Sequence, residues 1–196
     1  MRAFKGLDNL PTFNNAVATM GSFDGVHCGH RELLRRVMAQ AKELNGESIV
    51  ITFDPHPRYV LGTGDRMQLL STLDEKLWLL EQAGIDNVII IPFTKEFSQT
   101  SPQEFIEKDI ARIGIKTLVV GYNHRFGHKK EGDYDFLDGA AHESTAGNGF
   151  QTFIEFYGFK RGTAFEAIKS DGFYVSGDFN ACQRATVIES VLFKGF

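Results

Sequence analysis

The sequence predicts an α/β fold in which a parallel sheet is covered by helices on both faces. Two observations carry this reading. Four β-branched, apolar runs recur between residues 15 and 120, and each is nearly continuous rather than alternating, as strands buried on both faces require. Between them lie segments with apolar residues at helical spacing, the alternation that joins parallel strands. The chain has 196 residues, 42% hydrophobic and 23% charged. It is therefore long enough to bury a core and reads neither as disordered nor as fibrous.

Asn15–Met20 (NAVATM) is the first expected strand. A helix over Gly29–Leu44 follows, with Leu33, Leu34, Val37, Met38, Ala41 and Leu44 on one stripe. Gly46 stands where a left-handed residue would end it. Ser48–Phe53 (SIVITF) is the second strand. Thr72 and Glu75 form a capping box that opens a helix through Ala83, closed by Gly84. Asn87–Ile91 is the third strand. Ser101 and Glu104 make a second capping box, with Pro102 at the first helical position and Gly114 beyond the helix end at Ile113. Thr117–Val120 is the fourth strand, completing a Rossmann-like parallel sheet. From Asp138 the regularity fails. Nine of the 18 phenylalanines fall in residues 150–196, without a sustained period. The expected division is a core over 1–137 and an atypical C-terminal segment over 138–196.

Net charge is −4, so neither nucleic acid nor an anionic membrane is an expected partner. Two cysteines, Cys28 and Cys182, form no CxxC pair, which suits a reducing cytoplasm. The first residues hold no apolar signal-peptide core, and no stretch reaches 18 apolar residues. A cytoplasmic protein is the expectation.

Ligands of such sheets bind beyond the carboxyl ends of the strands. Three loops there hold five of the six histidines. In the first, Met20-Gly-Ser-Phe-Asp-Gly-Val-His-Cys-Gly-His30, the glycines Gly21, Gly25 and Gly29 admit a close backbone approach. His27 and His30 then open a helix whose free amides and dipole favour phosphate. The alternatives are a tight turn with two solvent-facing histidines, or a zinc site that lacks a nearby third ligand. In the second loop, Pro55 and Pro57 stiffen a turn bearing Asp54 and His56, or simply cap the strand. The third, Gly121–Asp133, groups Asn123, His124, Arg125, His128, Lys129 and Lys130 in an acidic protein. It suits a polyphosphate or phosphate ester, with Phe126 able to stack on a ring; a solvated charged loop is the alternative.

The stretches GSFDGVHCGH, TFDPHPRYVL, LLSTLDEKLWLLEQAGID, PFTKEFSQTSPQEFIE and VVGYNHRFGHKKEGDYDFL resemble, in order, the FMN adenylyltransferase module of bacterial bifunctional riboflavin kinase/FAD synthetases. The resemblance covers about residues 15–137 and places the chain among HxGH-type nucleotidylyltransferases. It implies that ATP and FMN give FAD and pyrophosphate with Mg²⁺, the FMN phosphate attacking the ATP α-phosphorus directly. By the same resemblance His27 and His30 hold the triphosphate. Gly21, Phe23 and Asp24 belong to the loop under the nucleotide, and Asn123 helps bind the ATP phosphates and is a candidate catalytic residue with the two histidines. Ser22 and Gly29 of the first loop and Arg125 of the third are further candidate binding residues. Phe126, Asp54 and His56 flank the flavin. Metal ligands are not assigned.

Two departures stand out. The residues after Leu137 are too few for the riboflavin kinase barrel that the resemblance implies. The Ser-Ser-Thr-x-Ile-Arg motif that would end the module is also absent. Gly162-Thr-Ala164 and Ser176-Gly-Asp178 resemble its flanks, but Phe165–Asp171 (FEAIKSD) lies between them. A tail read partly out of frame is one account; divergence, with Lys160, Arg161 or Lys169 supplying the charge, is another. A loosely packed, phenylalanine-rich tail would favour weak self-association. Two other functions compete: a nucleotide- or flavin-binding protein with impaired or no turnover, and a related nucleotidylyltransferase with another phosphate acceptor.

Overall fold

The computed structural model describes residues 1–62, 68–121, 125–132 and 136–137, all within one compact unit, Met1–Gly158. The expectations for residues 138–196, including the domain boundary at 137, lie outside the described residues. Five parallel strands form one sheet: β1 (Arg2–Lys5), β2 (Ala16–Met20), β3 (Ser48–Asp54), β4 (Asn87–Pro92) and β5 (Ile115–Val119), in the order β1-β4-β3-β2-β5. The four expected strands are present within one or two residues of their expected ends. β1 is an addition. It is a four-residue edge strand, mostly exposed, whose Arg2 and Lys5 hide any apolar run.

Helix α1 (Cys28–Glu43) crosses from β2 to β3, and α3 (Leu73–Gln82) from β3 to β4. A single turn, α2 (Pro57–Val60), follows β3. Helix α4 runs through Pro102–Glu104, a π-type stretch Phe105–Ile110, and Ala111–Ile113. The expected helix to Ile113 is thus present, with a π-type middle. Its buried face, Phe105, Ile106, Ile110 and Ile113, packs on the sheet face formed by Ala16, Ala18, Met20, Ile49, Ile51, Ile89 and Ile91. The opposite face, Val17, Val50, Val88, Ile90 and Val119, meets Leu34, Val37 and Ala41 of α1 and Leu80 of α3. Successive strand residues thus serve opposite layers. Each fully buried aliphatic side chain contributes about 1.5–3 kcal/mol of transfer free energy.

The helix ends refine the expectations. The Thr72–Glu75 capping box is complete, with Glu75 N donating to Thr72 Oγ1 at 3.3 Å and Thr72 N to Glu75 Oε2 at 2.8 Å. The Ser101 box is only half formed. Glu104 N donates to Ser101 Oγ at 3.1 Å, but the Glu104 carboxylate takes Lys108 as its partner. At the end of α1 the left-handed residue is Asn45 (φ 48°), not Gly46. Gly46 answers a different need, because a Cβ there would lie 2.1 Å from the Asn15 carbonyl oxygen.

Strand order reverses at β2. The chain steps outward from β2 through β3 to β4, then crosses back to place β5 on the other side of β2. The carboxyl ends of β2 and β5 therefore flank a topological switch point, where open α/β sheets bind ligands.

Candidate active site

The loop leaving β2 makes two tight turns before α1. Phe23 takes a left-handed conformation (φ 49°) and buries its ring, which occupies the space a Cβ on Gly21 would need. Gly25 (φ 66°) follows, and a Cβ there would come within 2.9 Å of Leu70. These glycines make room for the protein's own side chains. Asp24 holds the loop down by accepting hydrogen bonds from the amides of Leu70 and Ser71 at 2.9–3.0 Å and from Ser71 Oγ at 3.1 Å. Desolvation pushes its carboxyl upward, but these hydrogen bonds together outweigh it, and the pKa lies below the ordinary range.

His27 is the N-cap of α1, and its Nδ1 accepts the His30 amide proton at 3.3 Å. In its neutral form His27 therefore carries its ring proton on Nε2. The two imidazoles stack with centroids 3.6 Å apart, and the His30 ring leans on Phe23 at 5.0 Å. His30 is half-buried, and its Nδ1 is buried without a hydrogen-bond partner. Burial, followed by the neighbouring His27, lowers its pKa to about 4, with Asp24 opposing. The exposed His27, Cys28 and Gly29 and the half-buried His30 thus sit at a helix N-terminus where His27 caps only the His30 amide and the His30 Nδ1 is unsatisfied.

After β3, Asp54 is exposed and joined to Pro55 by a cis peptide bond. His56 caps α2, its Nδ1 accepting from Arg58 N at 3.2 Å. A run of phenylalanines then follows the carboxyl edge of the sheet. Phe53 meets Phe93 and Phe97 at 5.7 and 6.2 Å, Phe97 meets Phe105 at 6.0 Å, and Phe105 meets Phe126 at 5.8 Å. Phe126 also pairs its backbone with Gly132 and packs on Phe136 at 6.1 Å. Arg125 beside it is exposed. His128 is committed locally: its amide donates to Thr100 O at 2.9 Å, and its Nδ1 lies 3.3 Å from Ser98 O. Asn123 and His124 lie outside the described residues.

Residues 10–152 match the family described as FAD synthetase. The chain belongs to that family. It is 34% identical over 146 residues to the bifunctional riboflavin kinase/FMN adenylyltransferase of Escherichia coli K12, covering 73% of this chain and 47% of the relative. To the protein of the same name from Buchnera aphidicola it is 32% identical over 139 residues, covering 70% of this chain and 45% of the relative. The chain thus spans about half the length of these relatives. The crystal structure of a macrolide-efflux protein from Streptococcus pneumoniae shares the fold, with a TM-score of 0.67 at 22% identity, covering 80% of this chain and 50% of that one.

In this FAD synthetase-family chain the structure brings Gly21, Ser22, Phe23, Asp24, His27, Gly29 and His30 into one loop–helix junction, with Asp54 and His56 at the neighbouring strand end. Sequence reasoning missed Lys76. It is only 6% exposed on the buried side of α3, and its Nζ donates to Thr52 Oγ1 at 3.3 Å. Thr52 Oγ1 in turn donates to Ser22 O at 3.3 Å. The available signal was a lysine on the helix's apolar stripe, three residues after Leu73 and four before Leu80. Among the described residues no group of three His, Cys, Asp or Glu side chains could hold a metal, and no helix is long and apolar enough to cross a membrane.

Proposed function

We propose that the protein transfers AMP from ATP to FMN, releasing pyrophosphate and yielding FAD. The observation that carries this reading is the stacked His27–His30 pair at the open N-terminus of α1, at the switch point of the sheet. Family membership supports it, since the relatives are named for this activity. An oxygen of the FMN phosphate attacks the ATP α-phosphorus. That P–O bond forms as the bond to the β-phosphate bridge breaks, and pyrophosphate leaves with the electron pair. No protein nucleophile is needed, so catalysis consists of positioning and charge stabilisation.

The chain's residues have separable tasks. The first amides of α1 and the Nε2–H of His27 donate to phosphate oxygens. His30, neutral when the site holds no anion, gains a proton more readily once a triphosphate is beside it. Asp54, His56 and the phenylalanine edge bound the acceptor side, with apolar surface for a flavin ring. Mg²⁺ bound to the ATP phosphates would supply further charge neutralisation. Asp24's oxygens are engaged by Leu70 and Ser71, so the exposed Asp54 is the carboxylate at this sheet end that would be open to such an ion. A cytoplasmic location fits these substrates.

A second reading is nucleotide or flavin binding with little turnover. It rests on Phe165–Asp171, which stands where the expected hydroxyl- and arginine-bearing motif is absent. Incubating the pure protein with ATP, Mg²⁺ and FMN separates the two. FAD and pyrophosphate formed in equal amounts support adenylyl transfer. Tight nucleotide binding without product supports the second reading, and turnover only with another phosphate acceptor refutes both.

A further inference from the structure

Helix α3 is joined to the loop after β2 at two points one turn apart. Asp24 accepts from Leu70 and Ser71 just before the helix, and Lys76 reaches Ser22 O through Thr52 Oγ1. The Lys76 ammonium has three donors, and Thr52 takes one. Among the described residues it makes no ion pair within 4 Å, although burying a cation is costly without compensation. The titratable groups whose charges it feels or acts on come from the neighbouring segments: Asp24 from the loop after β2, Asp54 from the end of β3, and His56, the N-cap of α2, which in turn feels Arg58. A single buried cation therefore sits between the loop assigned to ATP and the turn assigned to the acceptor.

We propose that Lys76 is a positioning residue that holds these two loops in register, so that the acceptor phosphate and the ATP α-phosphorus meet in line. The inference rests on the adenylyl-transfer reading above. Its hydrogen-bond chain fixes the Ser22 carbonyl, and the Thr52 that carries it stands on β3 two residues before Asp54, where the acceptor turn begins. Removing it leaves each substrate's own contacts in place but misaligns the pair. The loss then falls on kcat rather than on either KM, because small displacements of reacting groups are expensive.

The test compares wild type with Lys76→Met, Lys76→Arg and Thr52→Val. Rates are expressed per folded molecule, and the His56 ring is titrated by NMR. Lys76→Met lowers kcat by about tenfold to a hundredfold, with both KM values moving less than about threefold. Lys76→Arg recovers most of the loss, and Thr52→Val gives a smaller drop because the charge stays. The His56 pKa, held down by burial and by Lys76, rises in Lys76→Met and not in Lys76→Arg. Unchanged kcat in Lys76→Met, or a loss confined to one KM, overturns the inference. If that variant does not fold, an unaltered kcat in Thr52→Val does the same. Failure of the wild type to make FAD sinks the functional reading instead, and the His56 titration still reports on Lys76: no shift in Lys76→Met overturns its role.

Discussion

His27 and His30 stack face to face, an arrangement that resists two positive charges at once. At His30 burial is the larger effect and the neighbouring His27 adds to it, so its pKa falls from the ordinary 6.5 to about 4. Between those values the unfolded chain binds a proton that the folded chain refuses. Stability therefore declines as pH falls through this window and is regained above it. Thermal melts from pH 7 to pH 4 should show that decline, and His30→Asn should flatten it; parallel curves would contradict the assignment. For catalysis, His27→Ala and His30→Ala should each lower kcat by about 10²–10³-fold, the usual cost of removing one donor to a developing anion. His27→Ala removes the side-chain cap of α1 and should cost only about 0.5–2 kcal/mol of stability, less than its effect on rate. Equal losses of folding and rate in both variants would make the pair structural rather than catalytic.

At the level of elements, the segment just before α3 anchors the loop after β2 through Asp24. Asp24→Ala strands two amides and a hydroxyl, and should cost about 1–3 kcal/mol in denaturant unfolding. A change below about 0.5 kcal/mol would mean that water replaces the carboxylate without loss. The main elements were legible because their signals are local. β3 reads SIVIT, Thr72 and Glu75 close a capping box, and His27 through His30 follow a glycine turn. What escaped was set by tertiary contacts. β1 is too short and too charged to show an apolar run, and becomes a strand by pairing with β4. Gly46 reads as a helix stop, yet its requirement comes from the Asn15 carbonyl, 31 residues earlier in the chain. Lys76 stands on the apolar stripe of α3, but its role depends on the helix being laid on the sheet with Thr52 beneath it.

For the whole molecule, the reversal of strand order brings these parts together. Crossing back over β2 to place β5 sets the His27–His30 junction, the Asp54–His56 turn and the Phe126 edge around the same sheet end. The fold thus sets a helix N-terminus beside an aromatic border, with the buried Lys76 tied through Thr52 to the loop between β2 and α1. The central claim is direct transfer between two bound substrates. The measurement that tests it follows the label from ATP carrying a radioactive α-phosphate, with FMN and Mg²⁺, in quenched single-turnover reactions. Direct transfer sends the label straight into FAD, one equivalent for each pyrophosphate released and none on protein at any time. Label trapped on the chain, or ATP bound and FMN present with no FAD formed, would contradict it.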